Sequence, residues 1–246
     1  GVQMQLFGES LAARRDGKEP PEGGYHGRYV TEWASHMPAD ADPVQWGRDW
    51  ALADQRRVLE RMNVTFDSWF SEKEMVDTGA IERTLADLRE RGVVYEADGA
   101  VWLRSTDYGD DKDRVLVKSD GEYTYLLPDI AYHRDKFARG HDLLINVWGA
   151  DHHGYVPRMK AAVQALGHDP SDLEVVITQL VRLEKDGEEV KISKRSGNLI
   201  TLEELLDEVG TDAVRLTYLL QSVDSTQTVD LDLIVAQSNE NPVFYV

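Results

Sequence analysis

Three stretches of the chain hold residue types and spacings that can do chemistry. The first is 143–160, LLINVWGADHHGYVPRMK. An uncharged run of strand length ends at Gly149, and Asp151-His152-His153 opens the segment after it. Strands of a parallel sheet present their carboxyl ends to ligands, and the N–H groups that begin the next helix favour anions. The cluster admits a nucleotide or small-substrate site, a metal site of Asp151, His152 and His153, or a set of helix caps. Adjacent histidines do not share a helical face as an i, i+4 pair does, which weighs against the metal. The second stretch is 191–198, KISKRSGN, where Lys191, Lys194 and Arg195 gather three cations. Ammonium groups on flexible stems act as movable point charges for phosphate. In phosphoryl or adenylyl transfer they stabilise transition-state charge. A solvated basic turn is the plain alternative. The third is 123–129, YTYLLPD, with the Tyr125 phenol four residues before the Asp129 carboxylate. A carboxylate buried there needs a cation, and a guanidinium held in a fork suits it. An Asp that only serves its own helix dipole would need no ligand.

The elements that must position these residues follow from pattern. Met4, Leu6, Phe7, Leu11 and Ala12 predict a helix over 4–15, and DGKEPPEGGYHG after it reads as an exposed loop. Asp42-Pro43 reads as a cap and first turn. Its helix should run to about Met62, with Val44, Trp50, Leu52, Val58, Leu59 and Met62 inward. Ile81, Leu85 and Leu88 predict a helix over 78–91, ended by Gly92. Apolar runs on either side of Asp98-Gly99 predict a hairpin over 93–103. Strands are expected at 114–117 and 123–127, a helix from Pro128 to Arg139, and a strand at 143–148 buried on both faces. A helix to Leu166, a buried strand at 173–178 and a hairpin over 183–190 follow. From Leu202 onward the chain reads as helical, with Gly210 as a break. Strands alternating with helices in the middle of the chain predict an α/β fold with a parallel sheet.

Composition bounds what the chain can be. It has 246 residues, enough for one large domain or two small ones. With 27 Lys+Arg against 45 Asp+Glu the net charge is −18, which excludes a generic basic nucleic-acid coat but not one local basic site. Cysteine is absent, so disulfide scaffolds and thiolate zinc sites are excluded. No apolar run approaches the ~20 residues of a bilayer span, and GVQMQLFGESLAARR lacks a signal-peptide pattern. A cytoplasmic protein without membrane partners is the expectation.

The motifs together carry a resemblance. KISKR resembles the KMSKS loop of class I aminoacyl-tRNA synthetases. With GADHHGYVPRMKAA, SGNLITLEELLDEVGTDAVR, QSNENPVFYV and the opening GVQMQLFGESLAAR, the chain is similar throughout to the arginyl-tRNA synthetases. The resemblance implies a Rossmann-like parallel sheet. It implies ATP-dependent activation of L-arginine to arginyl-adenylate and transfer to tRNA(Arg). ATP would enter as substrate with Mg2+, with no metal held tightly by protein ligands. By the same resemblance Lys191 and Lys194 contact the ATP phosphates as catalytic cations, with Ser193 beside them. Gly149 and Asp151 lie beside the adenylate. Tyr125 and Asp129 match the family's Tyr-x-x-x-Asp for the arginine side chain, and His152 stands where many members have Gln lining that pocket. Ile192 replaces the usual Met, and Arg195 the final Ser.

One signature of the class, His-x-Gly-His, does not occur in this sequence; His26-Gly27 and His153-Gly154 lack the partner histidine. The resemblance therefore implies part of a longer enzyme, a catalytic-domain piece inactive alone. It divides the chain into a helical and hairpin insertion over 1–110, the second half of the nucleotide fold over 111–190, and the signature loop with a helical segment over 191–246. The alternative is a synthetase-like paralogue without catalysis, acting as a binding or regulatory module. A different nucleotidyl transferase of the same fold is a third reading.

Overall fold

The computed structural model describes residues 2–190 and 201–246. It divides into two compact units: Gly1–Asp67, Val181–Ser222 and Thr226–Val246 form one, and Ser68–Leu180 with Val223–Ser225 the other.

The first unit opens with helices α1 (Val2–Arg15), α2 (Arg28–His36) and α3 (Pro43–Arg61). As expected, Asp42 caps α3, accepting from the Gln45 N–H at 2.7 Å, with Pro43 in the first turn. Helices α1 and α3 cross where both carry glycine. A Cβ on Gly8 would sit 2.6 Å from Val44 Cγ2, and one on Gly47 2.6 Å from Leu11 Cδ1. Phe7, Leu11, Val30, Ala34 and Met37 form the core here. Of the six residues expected inward on α3 only Val58 is fully buried, and Leu52 is exposed. The glycine contact turns another face of α3 toward α1. Helix α2 has no counterpart among the expectations.

The second unit runs in order from α4 (Glu72–Asp77) and α5 (Ala80–Glu90) to strands β1 (Val94–Ala97), β2 (Ala100–Leu103) and β3 (Arg114–Val117). The three strands form an antiparallel meander. Asp98 and Gly99, at φ 53° and 74°, make the tight turn that the Asp-Gly pair predicts. Helix α6 (Leu126–Ala138), strand β4 (Leu144–Gly149), helix α7 (Val156–Ala165) and strand β5 (Leu173–Thr178) follow. Strands β4 and β5 pair in parallel from Leu144↔Leu173 to Gly149↔Thr178, so β4–α7–β5 is the crossover unit of an α/β fold. Leu88, Leu103, Leu116, Leu127, Ile130, Met159 and Leu173 lie at the centre of its core.

Several expectations fail in this unit; strand β5, expected to be buried, has only Leu173 fully covered, with Glu174 exposed and the rest half-buried. The strand over 123–127 is a single bridge, Tyr123↔Val117, and α6 already starts at Leu126. Pro128 sits inside its first turn, where a missing N–H costs nothing. Strand β4 is not buried on both faces: Ile145 is 56% and Val147 66% exposed, while Leu144 and Asn146 are buried. Its apolar run gives it one covered and one open face among the described residues.

The chain then returns to the first unit with β6 (Val181–Lys185) and β7 (Glu188–Glu189), α8 (Leu202–Val209), α9 (Thr211–Leu219), β8 (Gln227–Asp230) and α10 (Leu231–Val235). The reading of everything after Leu202 as helical is corrected by β8, which pairs in parallel with β6. Val58, Leu183, Leu205, Leu206, Val214, Val229, Leu231 and Ile234 form a second core in this unit. Thr201 and Glu204 cap α8 reciprocally. Arg57 and Arg61 of α3 hold Glu203 and Asp207 of α8 in a charge network.

Candidate substrate site around Asp129

Asp129 stands in the first turn of α6, half-buried. The Tyr155 hydroxyl donates to its Oδ2 at 2.8 Å. No cation pairs with Asp129 among the described residues. Burial pushes the carboxyl up from its ordinary value, and Glu72 adds to that. The Tyr155 hydrogen bond, Lys136 and His152 pull the other way. A carboxylate short of charge partners in a half-covered place is an acceptor ready for a cation.

The backbone beneath Asp129 is fixed by a buried polar chain. His133, one turn on in α6, donates from Nδ1 to the Asp129 carbonyl at 2.7 Å. Its Nε2 accepts from Asn146 Nδ2 of β4 at 2.7 Å, and Asn146 Oδ1 accepts from Lys136 Nζ at 2.9 Å. Burial holds His133 down to about 4, so the ring is neutral with its hydrogen on Nδ1. Lys136 also lies 4.3 Å from the centre of the Tyr132 ring, and burial lowers its pKa too. This chain ties the first turn of α6 to β4, the strand whose carboxyl end is Gly149.

At that end a 3₁₀ turn, Ala150–Tyr155, precedes α7, where a helix opening directly at the polar cluster was expected. Asp151 and His152 are both exposed, with His152 Nε2 3.6 Å from Asp151 Oδ2. Among the described residues no three His, Asp or Glu converge at metal-ligand spacing. The His152 ring lies 6.2 Å from that of Trp148, and it acts on Asp129 electrostatically. Gly149 is extended at φ −67° and leaves space above it that only the Asp151 side chain approaches. Asp129, Gly149, Asp151 and His152 are thus gathered in one unit. Tyr125 precedes Asp129 by one helical turn but is 90% exposed, and its hydroxyl has no hydrogen-bond partner among the described residues. Lys191, Ser193 and Lys194 lie outside the described residues.

Sequence reasoning missed Tyr155, His133, Asn146 and Lys136. Tyr155 is 26 residues from Asp129, and its one signal was a phenol directly after the polar cluster. The other three are ordinary polar residues on α6 and β4 whose partnership only the packing reveals.

A family model described as tRNA synthetases class I (R), catalytic domain, matches residues 45–231. The arginine–tRNA ligase of Bacillus subtilis is 52% identical over 99% of this chain and 46% of its own length. Arginine–tRNA ligase 1 of Halalkalibacterium halodurans is 49% identical over 93% of this chain and 44% of its own. The chain thus spans less than half the length of the curated relatives it matches. A crystal structure from Campylobacter jejuni, described as an arginyl-tRNA synthetase, superposes with a TM-score of 0.86. It is 37% identical, over 99% of this chain and 57% of that one. The Thermus thermophilus arginyl-tRNA synthetase, at 15% identity and a TM-score of 0.70, shares the fold. With the family model matched over 45–231 and relatives about half identical along nearly all of it, the chain belongs to the class I arginyl-tRNA synthetase family, within the catalytic domain.

Proposed function

We propose that this chain supplies the amino-acid-binding side of arginine activation in a parent enzyme that charges tRNA(Arg). In that reaction the arginine carboxylate attacks the α-phosphorus of ATP, pyrophosphate leaves, and the arginyl group of the adenylate passes to tRNA. Asp129 binds the arginine guanidinium, with Tyr125 and His152 lining the same pocket. Gly149 and Asp151 face the adenylate. Lys191 and Lys194, with Ser193, neutralise charge on the phosphates, and Mg2+ comes with ATP as its counter-ion. The parent works in the cytoplasm, where its tRNA is.

The observation that carries this reading is the half-buried Asp129, which has a neutral hydrogen bond and no ion-pair partner among the described residues. A planar guanidinium, always charged, supplies the missing partner in a way ammonium or urea groups do not. Asp129→Asn in the full-length parent is nearly isosteric but removes the counter-charge. Losing one partner of a desolvated charge pair costs about 2–5 kcal/mol. Arginine affinity should then fall roughly 30-fold to several thousand-fold, at about 1.4 kcal/mol per tenfold. Calorimetric titration with L-arginine and with ATP tests this. Retained arginine binding with lost ATP binding would move Asp129 to the nucleotide side and overturn the assignment.

A further inference from the structure

We propose that Tyr155 is a positioning residue for the Asp129 carboxylate. Its hydroxyl holds Oδ2, leaving Oδ1 as the open acceptor for a cationic side chain. The proposal rests on the reading of Asp129 given above and adds what makes that acceptor work.

The phenol can do this because its ring is gripped. The Trp148 ring of β4 meets it edge-to-face, with centroids 5.8 Å apart and planes at 62°. The Arg158 guanidinium of α7 lies 4.8 Å from its centroid. A rotor fixed from a strand and from a helix can aim its hydroxyl at one oxygen. The 2.8 Å bond to Oδ2 occupies that oxygen, and Oδ1 has no hydrogen-bond partner among the described residues. Tyr155 thereby fixes the rotamer of Asp129 before any ligand arrives, which removes an ordering cost from binding.

The hydroxyl also favours the charged form of Asp129. The groups facing Asp129 are Glu72 from α4, Lys136 from α6, and His152 and Tyr155 from the 3₁₀ turn. Burial and Glu72 favour the neutral acid. Of the opposing groups, Lys136 is engaged with Asn146 and His152 is exposed. The Tyr155 hydrogen bond is the strongest of the influences that favour the carboxylate. Without it the acid form gains, and a protonated Asp129 cannot pair with a cation.

The test titrates L-arginine into the full-length parent, Tyr155→Phe and Asp129→Asn at pH 7.5 and 5.5. Phe keeps both ring contacts and removes only the hydroxyl. Affinity in Tyr155→Phe should be about tenfold weaker at pH 7.5, from loss of a charge-assisted hydrogen bond. It should fall on the order of tenfold further by pH 5.5, while the parent changes about threefold or less. Asp129→Asn should bind weakly at both pH values. A residue with a merely structural role would weaken binding without adding this acid limb. If Asp129→Asn loses arginine while Tyr155→Phe follows the parent's pH profile, the positioning role is overturned and the arginine site stands. If Asp129→Asn binds as the parent does, the site reading falls and this proposal with it. Circular dichroism at both pH values checks that each variant is folded, so that an acid limb is read from binding and not from unfolding.

Discussion

Lowering the pH from 7.5 to 5.0 should weaken the unit that holds Asp129 by about 2 kcal/mol through His133 alone. The ring is 4% exposed, and burial holds it at about 4, against about 6.5 in an unfolded chain. The folded-state value is the lower one, so the unfolded chain takes the proton first as pH falls. Stability from the neutral ring is therefore complete above about pH 6.5 and is lost progressively toward pH 4. At about 1.36 kcal/mol per pKa unit the whole gap is on the order of 3 kcal/mol, and about 2 of that has gone by pH 5.0. The local geometry gives the cause. Asn146 Nδ2 donates to His133 Nε2, so a proton on Nε2 sets donor against donor. Turning the Asn146 amide would offer Oδ1 to the ring but withdraw it from Lys136. Urea unfolding at the two pH values, read by amide hydrogen exchange in α6 and corrected for intrinsic rates, measures the loss. His133→Gln, which does not titrate, is the comparison. The native chain should lose about 2 kcal/mol more than the variant, since other groups act equally in both. Equal losses would show that His133 is not held neutral by burial, and the account of how α6 is tied to β4 would fail.

Two further outcomes are expected. Asp110→Ala should destabilise the same unit by about 3 kcal/mol in thermal melts. The Arg114 fork holds Asp110 at 2.7 and 2.8 Å, with the two side chains 13% and 3% exposed. The Arg114 guanidinium also keeps Asp110 well below the usual carboxylate range, so this contribution is present above about pH 4 and is lost only in strong acid. The joint change Asp110→Leu with Arg114→Met should cost less than Asp110→Ala, because no charge is left stranded; a joint cost equal to or above the single would contradict this. Gly149→Ala should alter the melting free energy by no more than about 0.5 kcal/mol, since the new methyl meets only the tip of the Asp151 side chain. If the adenylate lies against Gly149, ATP affinity in the parent falls on the order of tenfold; unchanged affinity takes Gly149 off the nucleotide side.

Local rules made some elements legible and left others out of reach. Asp42-Pro43 announced the start of α3, and Asp98-Gly99 the β1–β2 turn, because both signals are written in adjacent residues. The uncharged run through β4 correctly signalled a strand. The openness of Ile145 and Val147 depends on what packs against the sheet, which composition does not encode. The β6–β8 pairing joins residues more than 40 positions apart, and α2 and α4 are short helices whose periodicity is weak over so few turns. In the candidate site the Tyr125/Asp129 spacing was visible, and Gly149, Asp151 and His152 fell within one motif. The Asp129–Tyr155 contact was not visible, because two segments far apart in the chain must fold before a phenol and a carboxylate meet.

The order of the two units along the chain has a consequence for synthesis. One unit is nearly continuous, 68–180 with a three-residue strand of chain at 223–225, while the other is split around it. Domains generally fold as units during synthesis, N-terminal ones first. Here α1–α3 emerge before 68–180, but part of their support comes only after it. Arg57 waits for Glu203, 146 residues later, and β6 waits for β8. The segment 68–180 is expected to reach its native contacts on the ribosome while α3 still exposes Val58. Val58 and the other residues of that second core are thus covered only after the segment 202–234 has been made.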